Sequence, residues 1–174
     1  MRVEIITGDI TELRVDALVN AANSELRGGG GVDGAIHKAA GPELLRACRQ
    51  LRGCPTGEAR LTSGYRLFAD YVIHAVGPVY KDGMHGEARA LRNAYSSATK
   101  LVLDQKVVSV AYSAISTGVY GYPLREASEI AVNTVCELLK DTEVKVVFSA
   151  FDERVAEALG CALRDWMQAD REVS

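Results

Sequence analysis

The sequence has 174 residues and a formal net charge of -3 at neutral pH. Its 48% hydrophobic and 25% charged residues are typical of one globular domain, and a domain of this size buries roughly 70% of the unfolded chain's surface. The slightly acidic charge excludes a general attraction to nucleic acid or anionic lipid, so a nucleotide ligand would have to be recognised locally.

The amino terminus and the cysteines predict a soluble, cytoplasmic protein. Residues 1–4 lack the charged and then apolar layout of a signal peptide, and no apolar run is long enough to span a bilayer. The four cysteines form no Cys-x-x-Cys pair and have no histidine at ligand spacing. We interpret them as reduced, buried side chains, and we predict neither a metal site nor a cofactor.

Strand and helix patterns mostly alternate along the chain. The strand patterns cover residues 3–7, 16–20, 60–65, 71–76, 107–115 and 144–151. The helical patterns cover residues 32–40, a segment that follows Gly41, and then 91–102, 127–138 and 155–166. This order predicts a single three-layer α/β/α domain over residues 1–168, with residues 169–174 as a frayed tail.

A run of four consecutive glycines, Gly28 to Gly31, stands between the second strand and the first helix. Ordering these residues is unfavourable, because glycine loses more backbone freedom on folding than any other residue. A chain without Cβ atoms lets a ligand approach the backbone, and a helix N-terminus offers free N–H groups to an anion. We therefore predict a phosphate-bearing ligand here, close to Asn20 and Asn23 at the end of the preceding strand.

Several nucleotide and hydrolase motifs are absent or lack their context. Gly29 to Gly34 matches Gly-x-Gly-x-x-Gly, but it does not follow its strand directly and has no acid about 20 residues later. The chain has no P-loop lysine motif and no Gly-x-Ser-x-Gly nucleophile elbow. Hydride transfer on a Rossmann fold, P-loop phosphoryl transfer and serine hydrolysis are therefore disfavoured.

Asp33 and Asp9 each have a structural explanation, and Asp33 also has a functional one. Asp33 lies in the first turn of the predicted helix, where an acid is stabilising through the helix dipole with no further role. A carboxylate beside a phosphate cradle would also suit a sugar hydroxyl or an activated water. Asp9 likewise fits a capping box with Glu12, and His37 follows Asp33 by one turn on the same side.

Several motifs together resemble the macrodomain family, in the MacroD-type branch that includes bacterial O-acetyl-ADP-ribose deacetylases. They are Asn20–Asn23, Gly28–Asp33 with Gly34–His37, Cys54–Gly57, Tyr71–His74, Val76–Pro78 and Ile115–Pro123. The resemblance implies an α/β/α fold with a mixed, mostly parallel sheet of six or seven strands. It also implies ADP-ribose and its derivatives as ligands, and ADP-ribosylated proteins as candidate partners.

The resemblance implies a role for each matching position. Asp9, with the backbone of Ile10, would bind the adenine, and Phe151 would stack on it. Asn23 and Asp33 would be the catalytic pair at the distal ribose, with Asn20 and His37 supporting them. Backbone N–H groups of two loops would wrap the diphosphate, one loop formed by Gly28, Gly29, Gly30, Gly31 and Val32 and the other by Ser116, Thr117, Gly118, Val119 and Tyr120.

The activity implied is metal-independent hydrolysis of an ester on the distal ribose of ADP-ribose. O-acetyl-ADP-ribose or mono-ADP-ribosylated acidic side chains would be substrates, with Asp33 activating or orienting a water and Asn23 holding the ribose. Three alternatives stay open: a non-catalytic reader of ADP-ribose, a phosphatase acting on ADP-ribose 1''-phosphate, and a domain whose glycine loops are only structural.

Overall fold

The computed structural model of the protein describes residues 1–173. The strands are β1 (Arg2–Thr7), β2 (Ala17–Ala21), β3 (Ala59–Ser63), β4 (Tyr71–Ala75), β5 (Ser109–Tyr112) and β6 (Lys145–Ala150). The helices are α1 (Gly31–Ala40), α2 (Pro42–Gln50), α3 (Glu87–Asp104), α4 (Leu124–Leu139) and α5 (Glu153–Val173), with a 3-10 turn at Ile10–Glu12. Every segment with a predicted strand or helix pattern contains that element.

The strands form one six-stranded sheet in the order β1-β6-β5-β2-β4-β3. Neighbouring strands are parallel except β3 and β4, which are antiparallel. This confirms the predicted mixed, mostly parallel sheet. Because the five parallel strands end at the same edge, the loops that follow them meet there.

Each face of the sheet is covered by helices, which confirms the three-layer architecture. Successive strand residues point to opposite faces, so adjacent positions enter different cores. One core joins α1 and α2 to the sheet through Leu18, Val72, Ala111 and Val147. The other joins α3, α4 and α5 to the opposite face through Val19, Ile73, Tyr112 and Phe148.

The connection between α1 and α2 is a single residue, Gly41. Its φ of 87° lies in the left-handed region that favours glycine, and its N–H donates to the carbonyl of His37 at 3.2 Å. Pro42 then occupies the first turn of α2, where its missing N–H costs no hydrogen bond.

Several predicted boundaries differ from the structure by a few residues, among them the ends of β5 and α5. The fifth strand ends at Tyr112 rather than at residue 115, because the chain turns at Ala114, whose carbonyl accepts the hydroxyl of Thr117 at 2.9 Å. Helix α5 continues through Val173, so residues 169–173, predicted to fray, are helical. Within residues 1–173, no helix has the length and apolar character needed to cross a membrane.

Candidate functional site

Two cavities lie at the edge of the sheet where the parallel strands end. The larger has a volume of about 600 Å³ and the smaller about 330 Å³. They form one cleft, because their linings share Gly31, Val32, Ala114 and Gly118. The predicted ligand residues of both loops therefore lie on a common surface.

The glycine loop brings an uncapped helix end to this cleft. Gly30 is the N-cap residue of α1, and as a glycine it has no side chain to accept a hydrogen bond from the first turn. Gly28 and Gly31 have φ values of 76° and 57°, a backbone conformation that residues with a Cβ rarely adopt. The N–H groups at the start of α1 are thus available to an anion in the cleft.

The second loop faces the first across the cleft. Ser116 has a φ of 65° and is buried, and its Oγ has no hydrogen-bond partner among residues 1–173. Gly77 leaves room for this hydroxyl, since a Cβ on Gly77 would lie 2.2 Å from Ser116 Oγ. The loop is anchored at its far end by the N–H of Tyr80, which donates to the carbonyl of Tyr120 at 2.8 Å.

Asp33 is buried at the floor of the smaller cavity. Its Oδ1 accepts a hydrogen bond from Asn20 Nδ2 at 2.7 Å and lies 3.4 Å from Nε2 of His37. Its Oδ2 lies on the side of Gly29, 3.5 Å from where a Cβ on that glycine would be. Burial raises the pKa of this carboxyl above its usual value, and the Asn20 hydrogen bond and His37 oppose that rise. An acid that served only the helix dipole would not need this burial.

The side chain of Asn23 is hydrogen-bonded to the backbone of the glycine loop and of the residue before it. Its Nδ2 donates to the carbonyl of Gly28 at 2.8 Å, and its Oδ1 accepts from the N–H of Arg27 at 3.3 Å. The Nδ2 atom also lies 3.7 Å from where a Cβ on Gly29 would be, the position that Asp33 Oδ2 approaches to 3.5 Å. Gly29 therefore lets the amide of Asn23 and the carboxylate of Asp33 approach the same point of the smaller cavity.

The larger cavity carries the predicted adenine residues. Asp9 caps the 3-10 turn, because its Oδ1 accepts from the N–H and the hydroxyl of Thr11 at 2.9 and 2.7 Å. This confirms the predicted capping role without excluding a ligand contact. Phe151 also lines this cavity and is 88% exposed, so its ring contributes little to the core.

Most of the predicted site residues line the cleft, and three lie behind it. Gly28, Asn20 and His37 are in neither lining, and the imidazole of His37 packs 3.5 Å from where a Cβ on Gly28 would be. Sequence reasoning missed Gly77, Ser149, Asp152 and Arg154, which do line the cleft. Asp152 is the residue after Phe151 and Arg154 is the third after it, and Gly77 lies within the Val76–Pro78 motif, which are the signals that could have indicated them.

Three potential metal ligands meet behind Asp33. One ligand atom each of His37, Cys48 and His74 lie within 4.8 Å of one another. Burial and the nearby Asp33 raise the pKa of the Cys48 thiol to about 11, which keeps it protonated. Both ring nitrogens of His74 already contact side chains, so we describe this group as a hydrogen-bonded cluster.

A family model described as Macro domain matches residues 19–131. An O-acetyl-ADP-ribose deacetylase of Citrobacter rodentium is 52% identical, with 87% of this chain and 89% of that protein covered. Other relatives bear the general name of macro domain-containing protein.

Solved structures of macrodomains superpose closely on this chain. The Oceanobacillus iheyensis macrodomain with ADP has a TM-score of 0.91 and 41% identity, covering 96% of this chain and 92% of that one. A Trypanosoma brucei macrodomain in complex with ADP-ribose has a TM-score of 0.83 and 42% identity, covering 91% and 67%. The chain belongs to the macro domain family.

Proposed function

We propose that this protein binds ADP-ribose and hydrolyses an ester on its distal ribose. The observation that carries the proposal is the burial of Asp33 and the different surroundings of its two carboxylate oxygens. One oxygen of this buried carboxylate is held by Asn20, and the other lies on the open side of Gly29 at the smaller cavity. A base held in this way, with a raised pKa, is suited to take a proton from a water.

The two cavities fit the parts of ADP-ribose in order. The adenosine would occupy the larger cavity, with its ring against Phe151 and its amino group near Asp9. The diphosphate would lie where the linings meet, between the N-terminus of α1 and the Thr117–Gly118 segment. The distal ribose would then reach the smaller cavity. The relatives named for ADP, ADP-ribose and O-acetyl-ADP-ribose support this assignment.

The chemistry follows from the positions of two side chains. Asp33 Oδ2 accepts a proton from a water whose oxygen attacks the ester carbonyl carbon. The bond from that carbon to the ribose oxygen breaks, and the proton returns from Asp33 to the departing oxygen. Asn23 donates one amide hydrogen to Gly28, which leaves the second for a ribose hydroxyl.

The negative charge of Asp33 also affects which group the distal ribose of the substrate can carry. A ligand that carries a phosphate on the distal ribose would place two negative groups side by side in a partly buried cavity. This repulsion disfavours ADP-ribose 1''-phosphate relative to a neutral ester. Esters of acetate and of acidic side chains are the substrates that avoid it.

Calorimetry and product analysis test the proposal separately. We expect ADP-ribose to bind with a Kd well below millimolar and AMP to bind more weakly, since AMP lacks the second phosphate and the distal ribose. O-acetyl-ADP-ribose should then yield ADP-ribose and acetate. Asp33→Asn should lower turnover, whereas Asp165→Asn, the same substitution at an exposed acid on α5, should leave turnover unchanged. Tight binding without product would identify a reader, and no binding would defeat the proposal.

A further inference from the structure

Three polar side chains, Asn20, His74 and Thr62, extend from the candidate catalytic acid Asp33 as a continuous hydrogen-bonded row. Asn20 Nδ2 lies 2.7 Å from Asp33 Oδ1 and 3.2 Å from His74 Nδ1, and His74 Nε2 lies 3.0 Å from Thr62 Oγ1. The row crosses from α1 over β2 and β4 to β3. We infer that Thr62 and His74 are positioning residues that hold the amide of Asn20 with its NH₂ group towards Asp33.

The strand register places these side chains on one face of the sheet. Asn20 and His74 are partners in the parallel β2–β4 pair, and Thr62 pairs with Val72, two residues before His74. Since side chains two residues apart share a face, all three point towards α1 and α2. Asn20 and His74 are fully buried and Thr62 is nearly so, so water cannot replace these hydrogen bonds readily.

Hydrogen-bond roles along the row follow from Asp33. An ionised carboxylate only accepts, so the Asn20 group that faces it at 2.7 Å is the NH₂. The same NH₂ faces His74 Nδ1, which must therefore accept. Burial, with a smaller effect of His37, lowers the pKa of His74 to about 3, so the ring is neutral and carries its one proton on Nε2. That N–H donates to Thr62 Oγ1, with Cys48 Sγ 3.6 Å away.

Flipping the Asn20 side-chain amide by 180° would exchange donor and acceptor at every hydrogen bond of the row. Its Oδ1 would then face the carboxylate, and His74 would have to carry its proton on Nδ1. The oxygen of Asn20 has no partner among residues 1–173, so no hydrogen bond holds the amide from that side. With Asp33 ionised, the Thr62 hydroxyl accepts from His74 Nε2–H, and without this partner that N–H would be a buried, unsatisfied donor. Thr62 is thereby linked to Asp33 through three successive hydrogen bonds, by way of His74 and Asn20.

The titratable groups packed around Asp33 are known from the structure. His37 lies on the same helix, Cys48 on α2, and His74 on β4 behind Asn20. Replacing Thr62 substitutes none of these groups, and His74 is neutral in either tautomer, so a change in the titration of Asp33 can be assigned to the hydrogen bonds of the row. The kinetic part of this inference rests on the proposed function, and the spectroscopic part does not.

The test compares Thr62→Val, which keeps the shape and removes the acceptor, with Thr62→Ser, which keeps the hydroxyl. Nitrogen NMR of the three histidines reports the His74 tautomer, and the carboxyl carbon signal reports the titration of Asp33. We expect protonation on Nε2 in the wild type and in Thr62→Ser. In Thr62→Val we expect a population with protonation on Nδ1, together with a midpoint for Asp33 about one pH unit higher.

The same shift should appear in catalysis. One pH unit below the wild-type midpoint, kcat of Thr62→Val should be about tenfold lower, with an ADP-ribose Kd within about threefold of the wild type. A wild-type Nδ1–H tautomer would overturn the inference. So would an unchanged Asp33 midpoint in Thr62→Val, even if its melting temperature fell. Absence of turnover in every variant would count against the proposed function alone, since both NMR measurements would still decide the row.

Discussion

Gly34 in the first turn of α1 packs directly onto the backbone of Gly29. A Cβ on Gly34 would lie only 2.3 Å from the carbonyl oxygen of Gly29. Because the obstacle is backbone, it cannot move as the end of a flexible side chain would. The shape of the glycine loop over the cleft therefore depends on this missing Cβ atom.

Gly34→Ala is expected to displace the glycine loop and weaken ADP-ribose binding by more than about tenfold, since the loop N–H groups would leave the anion position. Calorimetry measures the loss. The control is Gly160→Ala in α5, where the nearest atom is the flexible end of Arg164 and where alanine should stabilise the helix by about 0.5–1 kcal/mol. Wild-type affinity in Gly34→Ala would contradict the importance of this contact.

Asp33→Asn should lower kcat by about 10²- to 10⁴-fold, because it removes the base that takes the proton from water. The amide is nearly the same size, so the Kd for ADP-ribose should change much less. Steady-state kinetics and calorimetry on the same preparation separate these effects. Unchanged turnover would show that Asp33 is not the base.

Phe151→Ala should reduce ADP-ribose affinity by about 1–3 kcal/mol, the range observed for stacking of a base on an aromatic ring. Since Phe151 is 88% exposed, the melting temperature should hardly change. Phe151→Tyr, which keeps the ring, should bind like the wild type. If Phe151→Ala bound ADP-ribose normally, the adenine would lie elsewhere in the larger cavity.

Ser116→Ala should separate ligand binding from stability. The Ser116 hydroxyl is buried without a partner, so its removal should leave the free energy of unfolding unchanged or slightly higher. If the hydroxyl serves the ligand, its loss should weaken ADP-ribose binding by about 1 kcal/mol, or roughly fivefold. Thermal unfolding with and without ADP-ribose measures both quantities. A destabilised variant with normal affinity would assign Ser116 to the fold.

The buried His74 should make the protein sensitive to acid. Its pKa is about 3 in the folded protein against 6.5 for an unperturbed histidine. Below pH 6.5 the unfolded chain therefore binds a proton that the folded chain does not, so stability falls as the pH falls. Between pH 6.5 and pH 4 this group alone accounts for about 3 kcal/mol.

Urea unfolding at several pH values measures this dependence in the wild type and in His74→Gln. The variant should be less stable at neutral pH but should lose less stability on acidification. His85→Gln, at an exposed position, serves as the control and should keep the wild-type dependence. Parallel curves for wild type and His74→Gln would contradict the assignment of this acid sensitivity to His74.

Local patterns predicted the elements of this fold well. Period and composition located all six strands and the helices, because these signals depend on residues close together in the chain. The glycine run likewise predicted an open helix N-terminus before Asp33. Ends were less accurate: β5 is shorter than its apolar run, since after Ser113, whose N–H still donates to Val19, that run continues into a turn.

The amino-acid sequence by itself determined the order of elements, the two glycine-containing loops that follow β2 and β5, and the family to which the chain belongs. Only the tertiary structure decided the environment of Asp33, and with it the chemistry that this carboxyl group can perform. Its burial, and the row through Asn20 and His74 to Thr62, depend on three strands aligned by sheet register, with contacts between residues as far as 54 positions apart. A helix-start acid and a mid-strand histidine are unremarkable in isolation, because the desolvation and hydrogen bonds that define their chemistry exist only after the chain has folded.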